Sequence, residues 1–240
     1  MDLPIPTVPI HTLRLPSGKE VRVRPFLVKE EKLLLMAAQT KDANELVQAV
    51  ERAVTDCLID KDVKFDKLSF FDVDYLMVAL RAKSIAPTID VQFRCRSVTD
   101  EGECGHIFTV PLDIANSQLV KEDISDKIAL DDKMGMKLKY PKYGEMKRAM
   151  MNENEMDRKI RLFYNCTDYI YNGDEIHSMK DYSLEQFSAF VDALTDENFK
   201  KLEYWTDHLP RYVVYADQTC PKCGTHHHLH YEDMNAFFLS

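Results

Sequence analysis

Cys220-Pro221-Lys222-Cys223-Gly224 restricts the fold of this chain more than any other segment. Two thiols on one tight turn point at a single spot, and the glycine lets the backbone turn so that its amides face sulfur. Arg211–Tyr215 before it and His226–Tyr231 after it read as strands, so the segment is the tip of a hairpin. Zinc takes four soft ligands of this kind in a tetrahedron, and one C-x-x-C supplies half of them. The other half is Cys95 with Cys104-Gly105, which also lies between two alternating runs, Ile89/Val91/Phe93 and Ile107/Thr109/Pro111. The residues from Arg96 to Glu103 separate these two cysteines. That span is wider than an ordinary knuckle and carries an acidic insertion, Asp100-Glu101-Gly102-Glu103, expected to be a solvated loop.

The expected ligand set is therefore Cys95, Cys104, Cys220 and Cys223, holding one structural zinc per chain in a split ribbon. Cys104 and Cys220 are 116 positions apart. Closing such a loop costs about 4 kcal/mol as (3/2)RT ln n, whereas structural zinc binding is worth about 10–16 kcal/mol in small peptides. The metal offsets the closure. Two other readings of the thiols stand beside this one. They are unmetallated buried cysteines, or a redox pair, although Cys220 follows a strand and opens no helix as redox C-x-x-C sites do. Cys57 and Cys166 fall on the apolar faces of expected helices and read as core. Disulfides are not expected, because the chain is long for a disulfide scaffold and MDLPIPTVPIH has no secretory pattern.

Histidines near the second knuckle raise the question of a catalytic ion. His226, His227, His228 and His230 lie on the returning strand, where alternate side chains face opposite ways, so His227 points either toward the metal or away from it. They read as a polar strand with donors to the ligand sulfurs. A zinc hydrolase using His227 or His228 is the alternative, and His106 could replace a cysteine as ligand. The chain has no G-x-S-x-G, no G-x-x-x-x-G-K-[ST] and no H-E-x-x-H. With Gly 7 in 240 residues, little is left for phosphate-cradling loops. Asp131-Asp132 reads as a turn rather than a carboxylate dyad.

The net charge is −9, and basic residues are scattered among acidic ones, as in Lys29-Glu30-Glu31-Lys32. A nucleic-acid binder needs a basic face, so a zinc-ribbon nucleic-acid or transcription module is a weaker alternative. No apolar run approaches the ~20 residues that span a bilayer, and the reading is an intracellular protein without a membrane segment.

Along the chain, Ile10–Leu15 and Glu20–Arg24 form a hairpin across Pro16-Ser17-Gly18. Helices are expected over Lys29–Met36, from an Asp42 cap to about Leu58, and over Asp72–Lys83. A hairpin joining Ile128–Leu130 to Met136–Tyr140 is expected to turn near Gly135. Helices follow over Tyr143–Met151 and Asn154–Cys166. Asn172-Gly173 marks a tight hairpin, and Ser183 with Gln186 forms a capping box for a helix to Leu194. One more helix runs from Thr195 to His208, ended by Pro210. Met134, Met136, Met146, Met150, Met151 and Met156 make a methionine-rich middle, read as core or partner surface. The organisation expected is 1–87, a hairpin with helices; 88–112 plus 211–232, the ribbon; 113–210, a helical middle; and 233–240, an apolar tail. Together these form one compact unit. The tail, with Phe237-Phe238, either folds onto its own core or docks on a neighbour. The fold class is α+β: a helical body, small β-hairpins and the split four-cysteine ribbon.

Several segments in this order resemble a known family. Leu15-Pro-Ser-Gly-Lys-Glu-Val-Arg-Val-Arg-Pro-Phe-Leu-Val-Lys-Glu-Glu-Lys-Leu-Leu-Leu-Met-Ala37 is similar to the N-terminus of the baseplate hub subunits of T-even-like contractile-tailed phages. The Ser183–Leu194 helix, Pro210, Cys220–Gly224 and Phe237-Phe238 resemble that family's C-terminal half. Cys95 and Cys104-Gly105 fall where the family has its first knuckle, with a longer loop. The resemblance implies a non-enzymatic structural or assembly subunit of the hub. Its partners would be other baseplate hub or tail proteins, with no nucleic acid, membrane or small-molecule substrate. Its place would be the virion tail baseplate or, during assembly, the infected host cytoplasm.

Overall fold

The hairpin and capping signals of the N-terminal region become its first elements. A computed structural model describes residues 6–40, 42–100, 102–152 and 154–232. The 233–240 tail, and Glu101 of the acidic insertion, lie outside the described residues. Strands β1 (His11–Arg14) and β2 (Glu20–Val23) pair antiparallel with Leu13 opposite Val21. Period-2 alternation puts Leu13, Val21 and Val23 on one buried face. Helix α1 (Val28–Thr40) starts where the Glu30 carboxylate accepts the Leu27 N–H. Helix α2 (Ala43–Cys57) starts at Asp42, whose carboxylate accepts the N–H groups of Asn44 and Glu45. Leu46, Val50, Ala53, Val54 and Cys57 form its buried stripe. The α2 end is tied to the hairpin by a Val23–Leu58 bridge and by Ile59 N–H donating to Arg22 O. Beside it, Arg24 Nη2 lies 2.9 Å from the buried Glu30 carboxylate. Helix α3 spans Phe70–Ser84, with Leu76, Met77 and Leu80 buried.

Strand β3 (Thr88–Arg94), β4 (Val98–Thr99), β5 (Gly102–Glu103), β6 (Ile107–Asp113) and β7 (Gln118–Val120) follow. β3 and β6 pair along their whole length, from Thr88–Asp113 to Arg94–Ile107. The insertion between them is not only a loop: β4 and β5 make a two-rung ladder, Val98–Glu103 and Thr99–Gly102.

Next come β8 (Lys127–Ala129), β9 (Met134–Leu138), α4 (Tyr143–Met150), α5 (Glu155–Cys166), β10 (Thr167–Asn172), β11 (Glu175–Ser178), α6 (Leu184–Asp192) and α7 (Asp196–Asp207). The strands form one antiparallel sheet in the order β11-β10-β9-β8. Asn154 caps α5, and Ser183 with Gln186 forms the capping box of α6. The sheet packs on a core that includes Met136, Leu138, Phe163, Phe187, Leu202 and Trp205. Of the methionine-rich middle, Met136 is in that core, while Met150, Met151 and Met156 are exposed.

The β8–β9 turn does not fall at Gly135. It is made by Asp131–Lys133, where the Asp131 carboxylate accepts the N–H groups of Lys133 and Met134 at 2.7 Å each. Gly135 instead lies inside β9, opposite Tyr171. A Cβ there would sit 2.6 Å from the Ile128 carbonyl oxygen and collide with the hydroxyl end of Tyr171. Gly135→Ala is therefore expected to destabilise the chain by about 1–3 kcal/mol, the usual range for overpacking. The reading is a lowered urea midpoint, and an unchanged midpoint would show that the β8–β9 pair can part without cost.

Strands β12 (Arg211–Thr219) and β13 (His226–Tyr231) pair from Val214–Tyr231 to Thr219–His226, and β7 joins the other edge of β12. Every named ladder is antiparallel, which with the separate helices makes the fold α+β. The chain divides into two compact units. One is Met1–Val63, Asp74–Val120 and Arg211–Ser240; the other is Lys64–Val73 and Lys121–Pro210. Among the described residues no helix is long and apolar enough to cross a membrane.

Candidate metal centre

Two hairpin tips of the first unit, β3–β6 and β12–β13, are built by the same pair of hydrogen bonds. In the β12–β13 tip, Cys220 N–H donates to Thr225 O and Gly224 N–H to Cys220 O, both at 2.9 Å. In the β3–β6 tip, Cys95 N–H donates to His106 O at 2.8 Å and Gly105 N–H to Cys95 O at 3.0 Å. Each closing acceptor stands two residues after the second cysteine. Gly105 and Gly224 have φ of 62° and 74°, a region that disfavours any residue with a Cβ. The long first tip reaches this geometry because β4–β5 folds the excess chain away, and Cys104 N–H donates to Ser97 O at its base.

The two tips bring Cys95, Cys104, Cys220 and Cys223 together, with all four sulfurs within 4.8 Å of one another. Cys95 Sγ lies 3.7 Å from Cys223 Sγ, and Cys104 Sγ lies 3.8 Å from Cys220 Sγ. A disulfide would need about 2.05 Å. Sulfurs around a tetrahedral ion at a metal–sulfur distance of about 2.3 Å stand about 3.8 Å apart. The donor set thus fits a four-coordinate metal ion, with Cys95, Cys104 and Cys220 buried and Cys223 half-buried. Cys57 and Cys166 are buried elsewhere, and burial raises the Cys57 thiol to about 12 and raises the Cys166 thiol as well.

The four clustered thiols are not equivalent. A His106 backbone N–H draws Cys104 down, but burial and the three neighbouring thiols prevail and push it up to about 11. The Thr225 hydroxyl and backbone N–H draw Cys223 down to about 6. Four thiolates at this spacing would repel one another, and a cation at their centre would relieve that repulsion.

His227 faces the sulfurs. Its Nε2 is 3.3 Å from Cys95 Sγ, and its ring packs on Phe93 at a centroid distance of 5.0 Å. The β12–β13 register sends His226 and His228 to the opposite, exposed face. The His106 ring stacks on Phe108, and its contribution to the site is through its backbone. Ser97 and Thr225, whose hydroxyls lie 3.3 Å from Cys95 Sγ and Cys223 Sγ, were not legible as site residues. Their place two residues after Cys95 and Cys223 is the only signal that marks them in the sequence.

Fold and site together define a class: an antiparallel α+β protein clasped by two sequence-distant cysteine knuckles, with a sulfur cluster compatible with a metal ion. The family is more specific. The model of the T4 bacteriophage base plate protein family matches residues 8–239, and the chain belongs to that family. No curated protein and no solved structure matches it. The chain is a phage baseplate protein.

Proposed function

We propose that this baseplate protein is a structural or assembly subunit of the hub of a contractile tail, stapled by one zinc ion and without enzymatic activity. The observation that carries the zinc is the sulfur spacing of 3.7–3.8 Å across two tips closed by matching hydrogen bonds. Four thiolates complete the tetrahedron and leave no position for a metal-bound water, which supports a structural ion over a catalytic one. When bound, zinc supplies cross-linking strength. Cys95, Cys104, Cys220 and Cys223 hold it, and His227 with the Ser97 and Thr225 hydroxyls surrounds the sulfurs. Family membership supports a place in the virion tail and other tail proteins as partners. The resemblance to hub subunits narrows these to hub proteins, met in the infected cytoplasm during assembly. No partner in this reading is a nucleic acid, a membrane or a small-molecule substrate.

Native mass spectrometry of the purified chain tests the staple. One zinc per chain is expected, with loss of folded charge states when a chelator removes it. A chain that is folded and metal-free, with all thiols titratable, would overturn it. Cross-linking of assembled baseplates tests the hub. Links to central hub proteins are expected, and links only to peripheral baseplate proteins would overturn that part alone.

A further inference from the structure

The face of the β12–β13 ladder that carries His226 and His228 holds a second cluster, unrelated to the cysteines. Asp217 stands directly opposite His228 in the ladder, and Thr219 stands opposite His226. His226 and His228 are two residues apart on one strand, so both rings project from the same face. Their centroids are 4.8 Å apart and nearly perpendicular, at 86°. His228 Nδ1 lies 2.5 Å from Asp217 Oδ1, and His226 Nε2 lies 4.0 Å from the same oxygen. The three donor atoms are all within 4.8 Å of one another, and all three residues are exposed.

We propose that Asp217, His226 and His228 form a second, solvent-open site for a borderline divalent ion of the zinc class. Two imidazoles and one carboxylate are the donors such ions prefer when sulfur is absent. The Thr219 hydroxyl lies 3.2 Å from His226 Nδ1, and with an ion at Nε2 it would accept the Nδ1 proton and hold the ring in place. Donors around a tetrahedral zinc stand roughly 3.3 Å apart, so the 2.5 Å edge must widen and the 4.0 Å edge must narrow, each by under about 1 Å. Exposed side chains do this without disturbing a core. The backbone beneath them is fixed, because the Thr219–His226 rung adjoins the bond from Cys220 N–H to Thr225 O that closes the knuckle. Three protein donors leave at least one coordination position open to water, unlike the cysteine cluster.

The test is calorimetric titration of the full chain with Zn2+, beside Co2+ absorption. Two equivalents are expected: a tight one that with Co2+ gives the strong near-ultraviolet thiolate band, and a weaker one that gives none. His226→Ala and Asp217→Asn are each expected to weaken the second equivalent at least tenfold and to leave the first unchanged. His230→Ala, the next residue along the same face, is expected to leave both unchanged. A wild-type chain without the weaker equivalent would overturn the proposal. So would an equivalent that survives both substitutions, or one lost equally in His230→Ala. A missing tight equivalent tells against the cysteine staple alone, because the weaker ion is counted separately.

Discussion

Cys220→Ser is expected to lower the stability of the first unit by about 4 kcal/mol or more, and to abolish its incorporation into baseplates. Cys220 is buried, and its sulfur faces Cys104 at 3.8 Å. With three thiolates the tetrahedron is incomplete, and the binding energy that offsets about 4 kcal/mol of loop closure falls away. The serine hydroxyl also leaves a polar group in a site built for sulfur. Denaturant unfolding followed by near-ultraviolet circular dichroism checks this, with Cys166→Ser as the comparison. Cys166 is equally buried but lies in the core of the second unit, so its substitution is expected to leave the metal count unchanged. Equal unfolding midpoints for wild type and Cys220→Ser would mean that the two tips hold together by packing alone.

The second large effect is expected at Arg24. Its guanidinium donates to both oxygens of Glu30, to the carbonyls of Pro25 and Asp56, and approaches Cys57 Sγ at 3.4 Å. Glu30 is 2% exposed. Arg24→Ala removes the main cationic partner of that buried carboxylate, leaving the Leu27 N–H and the exposed Lys29, and is expected to cost about 3–5 kcal/mol. Arg24→Lys loses the planar fork and is expected to recover only part of this. The pH dependence carries a definite sign. Burial raises the Glu30 pKa, but Arg24, the Leu27 N–H and Lys29 prevail, so the folded value lies below the ordinary 4.5. The stabilisation is therefore fully present above about 4.5 and is lost as pH falls through the folded value. Urea midpoints measured from neutral pH into acid are expected to decline in wild type and to decline less in Glu30→Gln. The same acid slope in both proteins would mean that other carboxylates carry it.

The parts of this fold that could be read from the sequence are those where a local cause suffices. Asp42, Asn154 and the Ser183/Gln186 pair each satisfy orphan N–H groups within their own first turn, so their helices start where expected. Asn172-Gly173 likewise dictates its own hairpin. The cysteine set was legible because knuckle glycines follow Cys104 and Cys223 alike. What escaped depends on distant pairing. β7 is three residues long and exists through its ladder with β12, far along the chain, so it has no periodicity of its own. The side on which His227 falls is decided by register, and register is fixed by the closing bond of the tip rather than by the strand's composition. At the β8–β9 turn two signals competed. The Asx turn of Asp131 prevailed because Gly135 is required as a slot beneath Tyr171.

The separation of the two knuckles also sets a clock. A ribosome that has placed Cys104 must add a further 116 residues before Cys220 exists. At roughly 5–20 residues per second that is about 6–23 s. Throughout this interval Cys95 and Cys104 are a bare dithiol, open to oxidation and to any thiol-seeking ion the cell offers. If the cysteine cluster binds a metal as proposed, the four-sulfur site can close only once the C-terminal knuckle has been made.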